Sequence, residues 1–127
     1  MVFIFDMDGV IVDNHQWHFG AYIEFGKRHN LKITRDEFGN YFGTSNHFIM
    51  KSIFGENISE EEIIKFGEEK ESIYREMYQP FIKPVQGLYA FLHYAYKQGI
   101  PIALATAAPA ENVNSHFMRL AWNPIST

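Results

Sequence analysis

Four apolar residues, Val2-Phe3-Ile4-Phe5, run straight into Asp6-Met7-Asp8-Gly9, and no other junction in the chain constrains its fold as much. A short unbroken apolar run rich in β-branched and aromatic residues reads as a strand buried on both faces, as strands are inside a parallel sheet. Aspartate is depleted in strands, so the strand gives way to loop at Asp6. Gly9 permits the tight turn or close backbone approach that such a loop needs. Two acids are thus held side by side at the carboxyl end of a buried strand, where open α/β sheets bind ligands.

A second run of the same kind, Ile100 to Ala105, ends at Thr106, and Pro109 behind it suits the first residue of a helix. Between the two strands the pattern is helical. Trp17, Tyr22, Ile23 and Phe25 recur at helical spacing until His29-Asn30. Thr34-Arg35-Asp36-Glu37 has capping-box form and predicts a short helix that stops before Gly43. Phe48, Ile49, Ser52 and Ile53 give another, closed by Gly55. Ser59 to Glu62 is a second capping box, opening a longer helix striped by Ile63, Phe66, Ile73, Met77 and Tyr78. Beyond Pro80 and Pro84, Leu88, Phe91, Leu92, Ala95 and Tyr96 stripe one more helix, which Gly99 ends. The tail from Asn114 to Thr127 departs from a helix–strand pattern. The class is α/β: a core of residues 1–13 and 81–127, interrupted by an all-α insert of residues 14–80.

Composition removes several function classes. The chain has 127 residues, a formal net charge of -4 and no cysteine, which excludes disulfides and thiolate metal sites. An acidic balance speaks against nucleic acid as a partner. No apolar run approaches the roughly 18 residues of a spanning helix, and Asp6 interrupts the first run too early for a signal peptide. A cytoplasmic protein with no membrane partner is the expectation.

Phe5-Asp6-Met7-Asp8-Gly9-Val10, followed by Asp13, resembles the first motif of the haloacid dehalogenase-like (HAD) phosphohydrolases. Thr106 at a strand tip resembles their second motif. The helical insert right after the first motif resembles the cap of the β-phosphoglucomutase and phosphoglycolate phosphatase branch. The resemblance implies a Rossmann-like core, its parallel sheet incomplete here, with an inserted all-α cap. It makes Asp6 the nucleophile, and makes Asp8 the acid that protonates the leaving alcohol and then activates water. It also makes both metal ligands, Asp8 through its carbonyl. The chemistry agrees: an ionised aspartate needs no base to attack, and an aspartyl-phosphate is an established intermediate. A hard cation that prefers oxygen, Mg²⁺, relieves the repulsion between carboxylate and phosphate. Thr106 and the Ala107 N–H would bind the phosphoryl oxygens, with the following helix N-terminus aimed at the same place.

Three insert residues join the candidate site through the resemblance. His18 falls where several cap-bearing relatives keep a histidine beside the substrate, although with His15 it also reads as helix surface. Lys70 matches a cap lysine that reaches a substrate phosphate; equally, it reads as a solvated lysine pairing with a nearby glutamate. The acidic runs Glu60–Glu62 and Glu68–Glu71 read as a wet helix face. Asn46 stands where phosphoglucomutase-like relatives carry an arginine that grips a second phosphate, and a neutral amide cannot replace that guanidinium. The family's later lysine and its metal-completing acid find no match before Thr127, so the chain reads as truncated after the second motif. The expectation is a Mg²⁺-dependent phosphatase of small phosphorylated metabolites. The alternatives are a β-phosphoglucomutase-like sugar phosphomutase and a non-catalytic fragment or degenerate paralogue. A core left uncovered in this way would self-associate.

Overall fold

In the computed structural model, which describes residues 1–120, the elements run β1 (Phe3–Phe5), α1 (His15–Arg28), α2 (Arg35–Tyr41), α3 (Asn46–Phe54), α4 (Glu60–Tyr78), α5 (Leu88–Lys97), β2 (Ile102–Leu104) and α6 (Ala110–Arg119), with a 3-10 turn at Gln79–Phe81. The chain divides into two compact units: Met1–His15 with the chain from Tyr78 on, and Gln16–Met77.

The first unit is mixed α/β. β1 and β2 pair in parallel with Phe3 opposite Ile102 and Phe5 opposite Leu104. Phe91 of α5 meets Phe3 and Phe5 edge-on at 5.1 and 5.7 Å, so the aromatic side chains of β1 turn inward. The other face differs from the expectation of burial on both sides. Ile4 is 67% exposed, and its partner Ala103 is exposed too. An apolar run states what a strand tolerates on each face; helices must be present to cover it, and among the described residues they cover one face.

α6 is a second difference. It begins at Ala110, with Pro109 extended at φ -57, ψ 147 as its N-cap rather than its first residue, and it continues to Arg119. Asn114 to Arg119 are therefore helical, against the sequence reading. The buried face of α6 carries Asn112 and His116, so hydrophobic periodicity misses it. The rest of that tail expectation, past Leu120, lies outside the described residues.

The second unit is all helix. Local signals set its boundaries: Thr34 and Glu37 form a reciprocal capping box at α2, and Gly55 caps the C-terminus of α3. Ser59 Oγ accepts from the Glu62 amide at 3.1 Å while the Glu62 carboxylate takes the Ser59 N–H, also at 3.1 Å. Phe25, Phe38, Met50, Ile63, Ile73 and Tyr74 fill the interior. Each such burial contributes roughly 1.5–3 kcal/mol, which is why packing rather than propensity holds these short helices.

Candidate active site

The acid loop winds around one carbonyl. Met7, fully buried between the two acids, accepts from the amides of Val10 at 3.2 Å and Ile11 at 2.9 Å. Gly9 adopts φ +74, a left-handed conformation that favours glycine, and gives its amide to Val12 O at 2.8 Å. Val85 N–H then bonds Ile11 O at 2.9 Å, tying the loop to the returning chain.

This frame gives the acids different surroundings. Asp6 is exposed, and its Oδ1 accepts the Met7 amide at 2.7 Å. Asp8 is half-buried, and its Oδ1 accepts from Asn14 Nδ2 at 2.6 Å, a short charge-assisted bond. The second strand end lies level with the first, because Ala105 N–H donates to Phe5 O at 2.7 Å. Thr106 Oγ1 accepts the Ala108 amide at 3.1 Å in a hydroxyl turn, an arrangement that leaves its own proton to donate outward. Ala107 is exposed at the turn. Asp6, Asp8, Thr106 and Ala107 are thus gathered at one end of the two-stranded sheet, ahead of the N-terminus of α6.

The donor chemistry suits a hard cation: the Asp6 carboxylate and the Asp8 main-chain carbonyl are oxygen donors, and Mg²⁺ keeps several waters of its own. Among the described residues no group of three or more His, Cys, Asp or Glu side chains is placed to hold a metal.

The insert residues lie in the helical unit. His18 is buried, stacked on Tyr74 at 3.8 Å and 3°, with Nδ1 at 3.3 Å from Lys70 Nζ. Lys70 is only 2% exposed; it pairs with Glu71 at 2.7 Å and sits 4.5 Å above the Tyr22 ring. The readings of His18 as helix surface, of Lys70 as a solvated lysine and of Glu71 as part of a wet face are all corrected by this burial. Helix periodicity located them on α1 and α4 but carried no information on what packs against them. Burial and the Glu71 charge together push the Tyr22 phenol well above its ordinary range. Asn46 is half-buried on α3 against Gly67, where a Cβ would come within 3.3 Å of its Nδ2.

Sequence reasoning missed three buried residues of the α/β unit, Asn14, Asn112 and His116. Asn14 bridges the acid loop, its Oδ1 accepting from the Gly9 amide at 3.1 Å. Tyr78 packs edge-on to His116 at 5.5 Å, and His116 Nδ1 bonds the Asn112 carbonyl. Burial raises the Tyr78 phenol to about 12; the charges of Asp13 and Asp8 add to this, and the Lys83 amide opposes it. The signal for Asn14 was its place directly after Asp13 in the motif. Asn112 and His116 showed none, because a polar side chain on a helix is read as facing water, whereas Tyr78 already stood in the apolar stripe of α4.

The model of the haloacid dehalogenase-like hydrolase family matches residues 3–125. Among solved structures, a HAD hydrolase of family IA, variant 3, from Entamoeba histolytica is 28% identical with a TM-score of 0.87, over 94% of this chain and 55% of that one. A β-phosphoglucomutase from Clostridium difficile is 24% identical with a TM-score of 0.82, over 97% of this chain and 57% of that one. CbbY from Rhodobacter sphaeroides, solved in complex with phosphate, is 17% identical with a TM-score of 0.76, over 97% and 58%. The likeness in fold extends over nearly all of this chain, which spans a little over half the length of these proteins.

Proposed function

The chain belongs to the haloacid dehalogenase-like hydrolases, and from that premise we propose that its acid loop serves a Mg²⁺-dependent phosphatase of small phosphorylated metabolites. The observation that carries this reading is the unequal pair on one strand end: Asp6 exposed, Asp8 half-buried and held by an amide, with the Thr106 turn level beside them.

In this mechanism an Asp6 carboxylate oxygen attacks phosphorus, forming an aspartyl O–P bond as the bond to the substrate alcohol breaks. Asp8 gives its proton to the departing oxygen. It then takes a proton from water, which attacks the phosphorus, so inorganic phosphate leaves and the Asp6 carboxylate is restored. The Thr106 hydroxyl and Ala107 amide steady the phosphoryl oxygens throughout. The Asp6 carboxylate and Asp8 carbonyl would hold Mg²⁺, which supplies the positive charge that lets an anion approach an anion.

Hydrolysis is favoured over isomerisation at position 46. Asn46 is neutral and packs on Gly67, which supports a cap without a charged grip there for a second phosphate. The experiment is phosphate release from a panel of phosphate monoesters by the full-length protein with Mg²⁺, repeated with Asp6→Asn and on a hexose phosphate with and without a bisphosphate activator. The expected result is turnover that Asp6→Asn abolishes and that needs no activator. Turnover near wild type in Asp6→Asn rejects the nucleophile. Activator-dependent isomerisation faster than release makes the protein a mutase.

A further inference from the structure

The acid loop contains a side chain that the mechanism above leaves without a task. Asn14 is fully buried, immediately before α1. Its Nδ2 donates to Asp8 Oδ1 at 2.6 Å while its Oδ1 accepts the Gly9 amide at 3.1 Å. We propose that Asn14 is the positioning residue of Asp8, holding the acid/base carboxylate in one side-chain rotamer.

The chemistry of the amide makes this specific. Reversed, it would set Oδ1 against a carboxylate oxygen and Nδ2 against an N–H, two repulsive contacts in place of two hydrogen bonds. The Gly9 donor and the Asp8 acceptor therefore fix the orientation between them. A shorter hydroxyl has one oxygen for both tasks, and an aspartate would place like charge against Asp8. With no exposed surface at Asn14, solvent cannot readily stand in for the missing donor. The loop itself has other ties. Gly9 N–H also reaches Val12 O at 2.8 Å, and Ile11 is held by Met7 O at 2.9 Å and Val85 N–H at 2.9 Å. Loss of the amide should therefore loosen Asp8 more than it loosens the backbone.

The catalytic consequence rests on the phosphatase reading; the geometry does not. A positioned acid/base contributes on the order of 10²–10⁴-fold, and a misplacement of about 1 Å costs up to about 10²-fold. The test pairs two measurements on the full-length protein. Three-bond couplings to the Asp8 carboxyl carbon report its χ1 rotamer. One rotamer is expected in the wild type, averaging in Asn14→Leu, and a return towards one rotamer in Asn14→Thr, which keeps a donor. Steady-state kinetics should show kcat down about 10–100-fold in Asn14→Leu with KM within about twofold, partly rescued in Asn14→Thr. An averaged Asp8 in the wild type, or a single rotamer retained in both variants, overturns the proposal. So does a kcat in Asn14→Leu within about twofold of wild type while Asp8→Asn is severe. A wild type without phosphate release rejects the phosphatase reading instead, and the couplings then judge Asn14 alone.

Discussion

Two helical glycines should respond to the same substitution with opposite signs. Gly26 lies in the last turn of α1, where the chain turns left-handed at Asn30 (φ 56) and the Leu31 amide comes back to the Gly26 carbonyl at 2.7 Å. A Cβ at Gly26 would stand 2.7 Å from the Leu31 carbonyl oxygen, a backbone atom. Helix propensity favours alanine there by about 1 kcal/mol. Against it stands an overpacking cost of about 1–3 kcal/mol, and relief by moving Leu31 would strain a hydrogen bond that contributes about 1 kcal/mol. The clash wins, and Gly26→Ala should cost about 1–2 kcal/mol net. Gly39 sits inside α2 with an ordinary φ and nothing within 4 Å of the added carbon. There the entropy of the unfolded chain decides, and Gly39→Ala should gain about 0.4–1 kcal/mol. For a unit of this size about 1 kcal/mol moves the midpoint by roughly 4–8 °C. Thermal unfolding followed by far-ultraviolet circular dichroism should place Gly26→Ala about 5–10 °C below wild type and Gly39→Ala a few degrees above it. A Gly26→Ala midpoint at or above wild type would show that the α1 terminus relaxes at no cost, and would refute the close-approach argument.

The capping box should be acid-sensitive. Hydrogen bonds from the Thr34 amide and hydroxyl hold the Glu37 carboxyl below its ordinary 4.5, so its stabilisation is present above that value and fades as pH falls through the lower folded value. Thr34→Ala should lower the thermal midpoint at neutral pH, with a smaller difference from wild type in strong acid; an equal difference at both pH values contradicts the linkage. Tyr78 has the opposite sign. Its phenol is raised from 10.0 to about 12, so the stabilisation is complete below pH 10 and is lost as pH rises through about 12. Alkaline titration of phenolate absorbance should show one fewer late-ionising phenol in Tyr78→Phe, with Tyr22 still ionising late in both proteins, and an unchanged count in that variant would assign the shift elsewhere. The open face of the sheet, with Ile4 67% exposed, should drive association between copies. Ile4→Lys should raise the monomer fraction of this 127-residue chain in sedimentation, and an unchanged distribution would clear that face.

What the sequence displayed, and what it concealed, divides along the range of the interactions. Thr34 with Glu37 and Ser59 with Glu62 announce helix starts because both partners lie within one turn, and the structure forms both boxes. The strand ends at Asp6 and Thr106 were legible for the same reason, since aspartate and a proline-marked turn act on their own backbone. Partnership across the fold left no such trace. Lys70 and Glu71 are neighbours on a helix whose charges suggest water, yet the His18–Tyr74 stack and the Tyr22 ring enclose the lysine. A charge pattern cannot report that enclosure, because an apolar neighbour fifty residues away contributes nothing to local periodicity.

Asn14 is the sharpest case, and it bears on how the acid loop sets its two carboxylates apart. Two chemically identical carboxylates stand two positions apart, and composition alone gives no reason for them to differ. Their difference arises from the backbone that separates them. Met7 is buried beneath the loop, so Asp6 remains on the exposed side with the Met7 amide on its Oδ1, while the turn at Gly9 carries Asp8 back towards Asn14. One acid is therefore presented to solvent, where the proposed mechanism needs its nucleophile. The other is oriented by a neutral amide that can donate to its charged form without adding a charge of its own. An asparagine at this place supplies the orientation, whereas a lysine would add a competing cation and an aspartate a repelling anion. If Asp6 and Asp8 divide the work as proposed, that division is written in residues 7, 9 and 14 as much as in the acids themselves.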